Sequence, residues 1–295
     1  MAEKNSLRIT NSALRIDFHT HIFPDKIAAD VIEKLSRVAG IPAHTNGTLA
    51  GLKNSMDAAQ INLSVILPVA TNTHQVEKIN SSAAELNEKF SGAGIFSFGC
   101  IHPDFENVRA ELSRVKNFGL KGIKIHPVYQ DTNLDDAKFL RIFDRAAELD
   151  LIVITHAGLD IGFPGVIRCS PQMIRRVVDE IGNFKFVAAH MGGWKNWREV
   201  LELLGDTKIF IDTAFSTDKI VPRQDTVWQA DDLKLLDAED FMTFVKIFGA
   251  DKILVGTDSP WSSQKISCDF INNLPLNDAD KAKILGLNAQ KLLAL

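Results

Sequence analysis

Histidine is concentrated at one kind of place in this sequence. Of eight histidines, His19, His21, His102, His126, His156 and His190 each stand at or just beyond the end of a short apolar, β-branched run. A lone buried histidine is usually a hydrogen-bonded core residue. Several that converge are harder to explain that way, because an imidazole is costly to bury without a partner. His19 and His21 are spaced i, i+2 and project to one side of a strand with Asp17, which leaves Leu14, Ile16 and Phe18 to face the packing helices. By the same alternation Lys124 shares a face with His126, His190 with Ala188 and Phe186, and Asp258 with Gly256 and Leu254. Two histidines at i, i+2, a third from another strand and one carboxylate form a nitrogen–oxygen donor set. It suits a divalent ion such as Zn²⁺, with Mn²⁺ and Fe²⁺ as alternatives. His19-x-His21 alone is a weak motif. Joined by His156, His190 and Asp258 at the ends of later strands, it is a specific one. An ion held this way with an open position ionises bound water near neutral pH.

The elements that must position these residues recur as a strand, a turn and a helical stretch. Candidate strands are Leu14–His19, Asn62–Val69, Gly94–His102, Leu120–His126, Leu151–His156, Phe184–His190, Lys208–Asp212 and Lys252–Asp258. Helical spacing marks Asp25–Val38, Asp104–Phe118, Asp135–Leu149, Pro171–Ile181, Asp237–Phe248 and Asp278–Leu293, with Gly182, Gly205 and Gly249 where helices should stop. Eight strands alternating with helices predict a parallel sheet closed as a (β/α)₈ TIM barrel, in one domain spanning residues 1–295. An open dinucleotide-binding sheet is disfavoured, since no G-x-G-x-x-G follows the first strand. The histidines then fall on the C-terminal face of the barrel, where barrel active sites are built. Two long connections, Gly40–Met56 and Ala214–Leu236, read as loops for substrate or subunit contacts.

Composition narrows the rest. The 295 residues carry 33 Lys+Arg and 37 Asp+Glu, a formal charge of −4, with no basic tract. That balance argues against a nucleic-acid or anionic-membrane partner and for a small-molecule substrate. The first 18 residues lack a signal-peptide apolar run, and no segment approaches a membrane span of about 18 apolar residues. Cys100, Cys169 and Cys268 are odd in number and far apart, which points to a reducing, cytoplasmic compartment. A monomer and a homodimer are both left open.

Four motifs in order carry a family resemblance: Asp17-Phe-His-Thr-His21, Thr-His156-Ala-Gly, Ala-His190-Met-Gly-Gly and Gly-Thr-Asp258-Ser-Pro-Trp. With the closing LGLNAQKLL, they resemble the amidohydrolase superfamily, in its amidohydrolase-2 branch of metal-dependent hydrolases and decarboxylases. The resemblance implies that His19, His21, His156 and Asp258 bind metal, that His190 polarises substrate or moves protons, and that Asp258 also handles the proton of a metal-bound water. In two-metal members a carbamylated lysine bridges the ions, and His156 with His190 holds the second. Lys124 is the candidate for that lysine, with a substrate-binding cation as the alternative. One ion is favoured, most simply zinc.

Softer candidates surround these. His126 reads as a pocket residue rather than a ligand, Tyr129 as a substrate contact, and Arg168 as a clamp for a substrate carboxylate. Trp194 and Trp261 follow two of the motifs and would wall the pocket or pack between loops. The primary expectation is a hydrolase acting on an amide, lactone or ester carbonyl. The alternative is a non-oxidative decarboxylase of a small cyclic or aromatic carboxylic acid.

Overall fold

Short β-branched runs bounded by glycine, asparagine and aspartate form the strands of the computed structural model, which describes residues 14–217, 219–224, 226–229 and 231–295. The signal-peptide reading rests mainly on residues 1–13, outside the described ones, and part of the 214–236 connection lies outside them too. The strands are β1 (Ile16–Thr20), β2 (Leu63–Ile66), β3 (Ile95–Ser97), β4 (Gly99–Cys100), β5 (Gly122–Ile125), β6 (Ile152–Thr155), β7 (Phe186–Ala188), β8 (Phe210–Asp212) and β9 (Ile253–Leu254). All pair in parallel, in the order β1-β2-β3 and β4-β5-β6-β7-β8-β9. The expected third strand, Gly94–His102, is interrupted at Phe98, whose N–H still donates to the Ile66 carbonyl at 2.9 Å. Closure comes from Phe18 N–H donating to Val255 O at 2.9 Å and from Thr20 bridging to Ser259. The result is a (β/α)₈ TIM barrel with its third strand in two pieces.

The outer layer comprises α1 (Asp25–Ala39), α2 (Leu49–Ala59), α3 (Val76–Phe90), α4 (Val108–Asn117), α5 (Ala137–Glu148), α6 (Pro171–Ile181), α7 (Trp197–Leu204), α8 (Ala238–Phe248), α9 (Gln264–Asn273), α10 (Asp278–Ala282) and α11 (Asn288–Leu293). The Gly40–Met56 connection is thus not all loop. Thr48 caps α2, its hydroxyl accepting from Gly51 N–H at 3.0 Å, and the helix accommodates Gly51 in its first turn. The Asp278–Leu293 helix contains a wide turn at Lys283–Leu287. There the carbonyl of Ile284 accepts from Val255 N–H of the barrel at 2.9 Å.

Two apolar shells show which way each strand faces. Ile66, Ile123, Ile125, Val153, Phe186 and Ala188 pack outward against helices. Ile16, Phe18, Val65, Ile154, Val187 and Leu254 fill the barrel, and Ala289, Leu292 and Leu293 of α11 close its floor. The expected phase is therefore reversed on two strands. Leu14, Ile16 and Phe18 point in, while Asp17 points out to Gln264 Nε2 (2.6 Å) and Thr257 Oγ1 (2.6 Å). Phe186 and Ala188 point out and Val187 points in. His19 and His190 reach the mouth only because the backbone breaks its alternation after these segments.

Candidate metal centre

On β1 the break is a bulge. Asp17 pairs with Ser64 and Thr20 with Ile66, so three steps along β1 match two along β2. Phe18 stays in the interior and His19 still turns to the mouth. The chain beyond β9 is stitched to this bulge: Asp258 N–H donates to His19 O at 2.8 Å and His21 N–H to Ser259 O at 2.6 Å. Asp258 adopts φ 62°, a left-handed conformation that aims its carboxylate at the two histidines. Gly256 is needed beneath them, since a Cβ there would stand 2.9 Å from His19 Cβ.

The donor atoms meet closely. His19 Nε2 and His21 Nε2 lie 3.2 Å apart, and Asp258 Oδ1 is 3.4 Å from the first and 3.0 Å from the second. Their outer partners set the protons. His19 Nδ1 is 2.8 Å from the Asp212 carboxylate and His21 Nδ1 is 2.8 Å from the Leu67 carbonyl. Both Nδ1 atoms therefore donate, and both Nε2 atoms present lone pairs. Two lone pairs and a carboxylate oxygen converge. A single proton reconciles one of these contacts; a divalent ion reconciles all three. On this chemistry the residues fit a metal ion.

The surroundings tune the cluster. Burial alone would raise the Asp258 pKa, but the hydrogen bond with His21 and the electrostatic influence of the surrounding His19, His21 and His190 rings outweigh it and hold the carboxyl well below the usual range. Burial pushes His19 well below its ordinary value, and the Lys124 charge adds to this. Lys124 Nζ lies 3.2 Å from His19 Nε2. Burial brings this lysine down to about 8, against the opposing pull of Asp212 and Asp258.

A second group of side chains lies beside the first. The structure does not bring His156 into the His19–His21–Asp258 cluster; it groups His156 with His126 and Asp160. His156 Nδ1 is 2.9 Å from His190 Nε2, and His190 Nδ1 is 2.9 Å from the Ala214 carbonyl. His190 reaches this position through φ 60°, with its own N–H donating to Asp212 Oδ1 at 2.9 Å. Gly158 lets the His156 loop lie against the His190 loop, because a Cβ there would be 2.2 Å from Trp194 N.

These residues line one cavity of about 910 Å³ at the mouth, together with Lys124, Tyr129 and Trp261. Tyr129 stacks on His126 at 3.8 Å and His126 on His156 at 4.2 Å, a column of three nearly parallel rings. Trp194 touches the cavity but is 1% exposed and packs with Phe215 and Trp228. Arg168 is not brought to the cavity; its guanidinium binds Asp131 and Asn133. His102 also lies outside it, its Nδ1 accepting from Asp104 N–H at 3.1 Å.

Asp212 and Asp160 are the site residues that sequence reasoning missed. Asp212 is fully buried and braces both histidine loops, accepting from His19 Nδ1, His190 N–H and, at 3.1 Å, Ala214 N–H. It ends a strand, as the histidines do, so its position carried a signal. Asp160 lies four residues beyond a strand end, in a loop where no spacing rule points.

A family model described as Amidohydrolase matches residues 16–295. Among curated proteins, no relative matches. Among solved structures, an uncharacterised TIM-barrel protein from Bordetella bronchiseptica is similar at 18% identity and TM-score 0.72, covering 95% of this chain and 98% of that one. 5-Carboxyvanillate decarboxylase from Sphingomonas paucimobilis is similar at 15% identity and TM-score 0.68, with 96% and 99% covered. A dihydroxybenzoic acid decarboxylase from Polaromonas sp. JS666, with bound manganese and 2-nitroresorcinol, gives 16% identity and TM-score 0.66, with 96% and 97% covered. No helix among the described residues is long and apolar enough to cross a membrane.

Proposed function

The chain belongs to the amidohydrolase family, and we propose that it is a metal-dependent, non-oxidative decarboxylase of a small cyclic or aromatic carboxylic acid. One observation carries the reading: the three-acceptor cluster lies 3.2 Å from a buried lysine, in a cavity walled by a flat column of rings. That combination suits a planar anion. Structural relatives that share this fold and are named as decarboxylases support it.

His19, His21 and Asp258 would hold the ion. Manganese is supported by the Polaromonas relative, and the donor set equally accepts zinc. When bound, the ion supplies positive charge for the substrate's carboxylate or a neighbouring oxygen. Lys124, protonated below about pH 8, pairs with the same anion. Tyr129 and His126 present a face for the ring. Asp258, ionised at neutral pH, receives a proton and passes it to the carbon that bears the carboxylate. The bond from that carbon to the carboxylate then breaks, CO₂ leaves, and the electron pair stays in the ring. One proton is consumed for each CO₂ released.

The primary sequence expectation, hydrolysis, keeps support from one observation. An ionised Asp258 beside a metal-ready cluster is also a base suited to taking a proton from water. A single experiment separates the two. Protein loaded with Mn²⁺ or Zn²⁺ is given a panel of aromatic carboxylic acids, lactones, amides and esters, with CO₂ release and acid release followed together. CO₂ from the carboxylic acids supports the proposal. Turnover of lactones, amides or esters without CO₂ replaces it with the hydrolase.

A further inference from the structure

We propose that the acid bound at the metal-ready cluster carries a long apolar substituent, an alkyl chain, seated along the inner stripe of α1, where Ile27, Val31, Leu35 and Val38 set the preference for chain length. The inference rests on the decarboxylase reading only for the placement of the acid head at the cluster.

The helix α1 is amphipathic, yet it hides little of its apolar surface. On the flank of the barrel, α5 buries Phe139, Ile142 and Phe143, and α6 buries Ile174 and Val177. By contrast, α1 buries Ala28, Ser36 and Ala39. Its larger apolar residues Ile27, Val31, Leu35 and Val38 recur at i, i+4, i+8 and i+11, so they share one face. Val31 and Leu35 are half-buried, while Ile27 and Val38 remain 48% and 53% exposed. This face is turned to the mouth: all four residues line the cavity that also holds His19, His21 and Asp258.

The helix is held in that position from its C-terminal end. Ala39 and Ile41 pack in one apolar cluster with Trp194 and Phe215, and Gly40 O accepts from Arg223 N–H at 2.7 Å. Val38 reaches the loop of Asp160, where a Cβ on Gly162 would stand 3.3 Å from Val38 Cγ1. From Ile27 to Val38 the stripe runs about 16 Å at the helical rise. Ile79, Ala83 and Leu86 of α3, at i, i+4 and i+7, add a second apolar row to the lining. Away from the cluster, the charged residues in the lining are Asp25 and Lys78. The cavity thus offers charge at one end and hydrocarbon over most of the remainder. Its 910 Å³ is the size that takes a drug-sized ligand, in the range of roughly 300–1,000 Å³. A single-ring acid at the cluster leaves the apolar part unfilled. Extended apolar surface continuous with a polar site marks a ligand groove, and an alkyl chain laid on it removes both surfaces from water.

The test reads affinity, separately from turnover. Protein loaded with Mn²⁺ is titrated in a calorimeter with 2-hydroxybenzoic acids that carry no chain, a butyl chain or an octyl chain at ring position 4, 5 or 6. CO₂ release is followed in parallel. For at least one ring position the dissociation constant should fall about fourfold for each methylene buried. In the double variant Val31→Glu/Leu35→Glu the octyl acid should lose its advantage over the unsubstituted acid, with folding checked by circular dichroism. Val38→Glu, at a position already more than half exposed, is the milder variant and should reduce that advantage several-fold. Absence of CO₂ from every acid would defeat the decarboxylase reading, while the chain-length dependence would still uphold the apolar seat. Affinity independent of chain length at all three positions, or an undiminished octyl preference in both α1 variants, would overturn the proposal. Chain-length independence in a wild-type dimer that the double variant dissociates would assign the stripe to a second copy of this chain instead.

Discussion

The two ends of this barrel are made from the same strands and obey opposite rules. At the floor, alternation is regular. Leu14 and Ile16 meet Ala289, Leu292 and Leu293 of α11 in an apolar layer. At the mouth, alternation fails at the positions that matter. A bulge follows Asp17, and His190, Met191, Phe215 and Asp258 take left-handed conformations that cost non-glycine residues free energy. Aspartates and histidines are buried there in place of leucines. The floor holds the fold together, and the mouth spends part of that stability on aiming its side chains.

The sharpest way to break this contrast is at Asp258. Asp258→Asn keeps an oxygen that can ligate but cannot carry a proton. Turnover should fall by about 10²–10⁴-fold, with a smaller loss of metal and little change in melting temperature. Equal loss of metal and turnover would make Asp258 a ligand only. The opposite experiment is Leu293→Ala, a buried floor residue. It should cost about 2–5 kcal/mol of stability in denaturant unfolding and leave turnover per folded molecule unchanged. A drop in turnover with the metal retained would mean that the floor and mouth are coupled.

Two smaller effects sharpen the mouth itself. Asp212→Asn removes the carboxylate that orients His19 and should weaken metal binding by about 10–100-fold, read as a dissociation constant. Burial lowers Lys124 to about 8, so the folded protein carries this charge below that pH and loses it above. If Lys124 binds the substrate anion, KM should rise roughly tenfold between about pH 7 and pH 9. The rise should vanish in Lys124→Met, whose KM should be high throughout. A flat profile in wild type would remove Lys124 from substrate binding.

Much of this was legible in the sequence, and the failures have physical causes. The strands were readable because β-branched runs alternate with helical spacing, and residue type marked which end carries chemistry. The phases of β1 and β7 were not readable, because the bulge after Asp17 and the turn at His190 reset an alternation that sequence spacing assumes continuous. His156 was expected beside His19 and His21. Its hydrogen-bond neighbours run through His190 to Ala214, two contacts spanning 34 and 24 residues of sequence that no local pattern encodes. α2 was hidden by Gly51, which a well-capped helix accommodates. Arg168 looked available because its loop lies near the mouth in sequence, but Asp131 and Asn133 claim it.

The break in alternation after Asp17 has a consequence for how such a chain can change over time. Because the bulge and the left-handed residues separate the aim of the mouth from the phase of the strands, the two can vary independently. Substitutions that repack Ile16, Val187 or Leu254 need not re-aim His19, His190 or Asp258. Ligands at the strand tips can likewise be exchanged without turning a core layer to solvent. The barrel body and its reactive rim thus behave as separable heritable modules, and a lineage can explore new chemistry at the rim while its fold stays fixed.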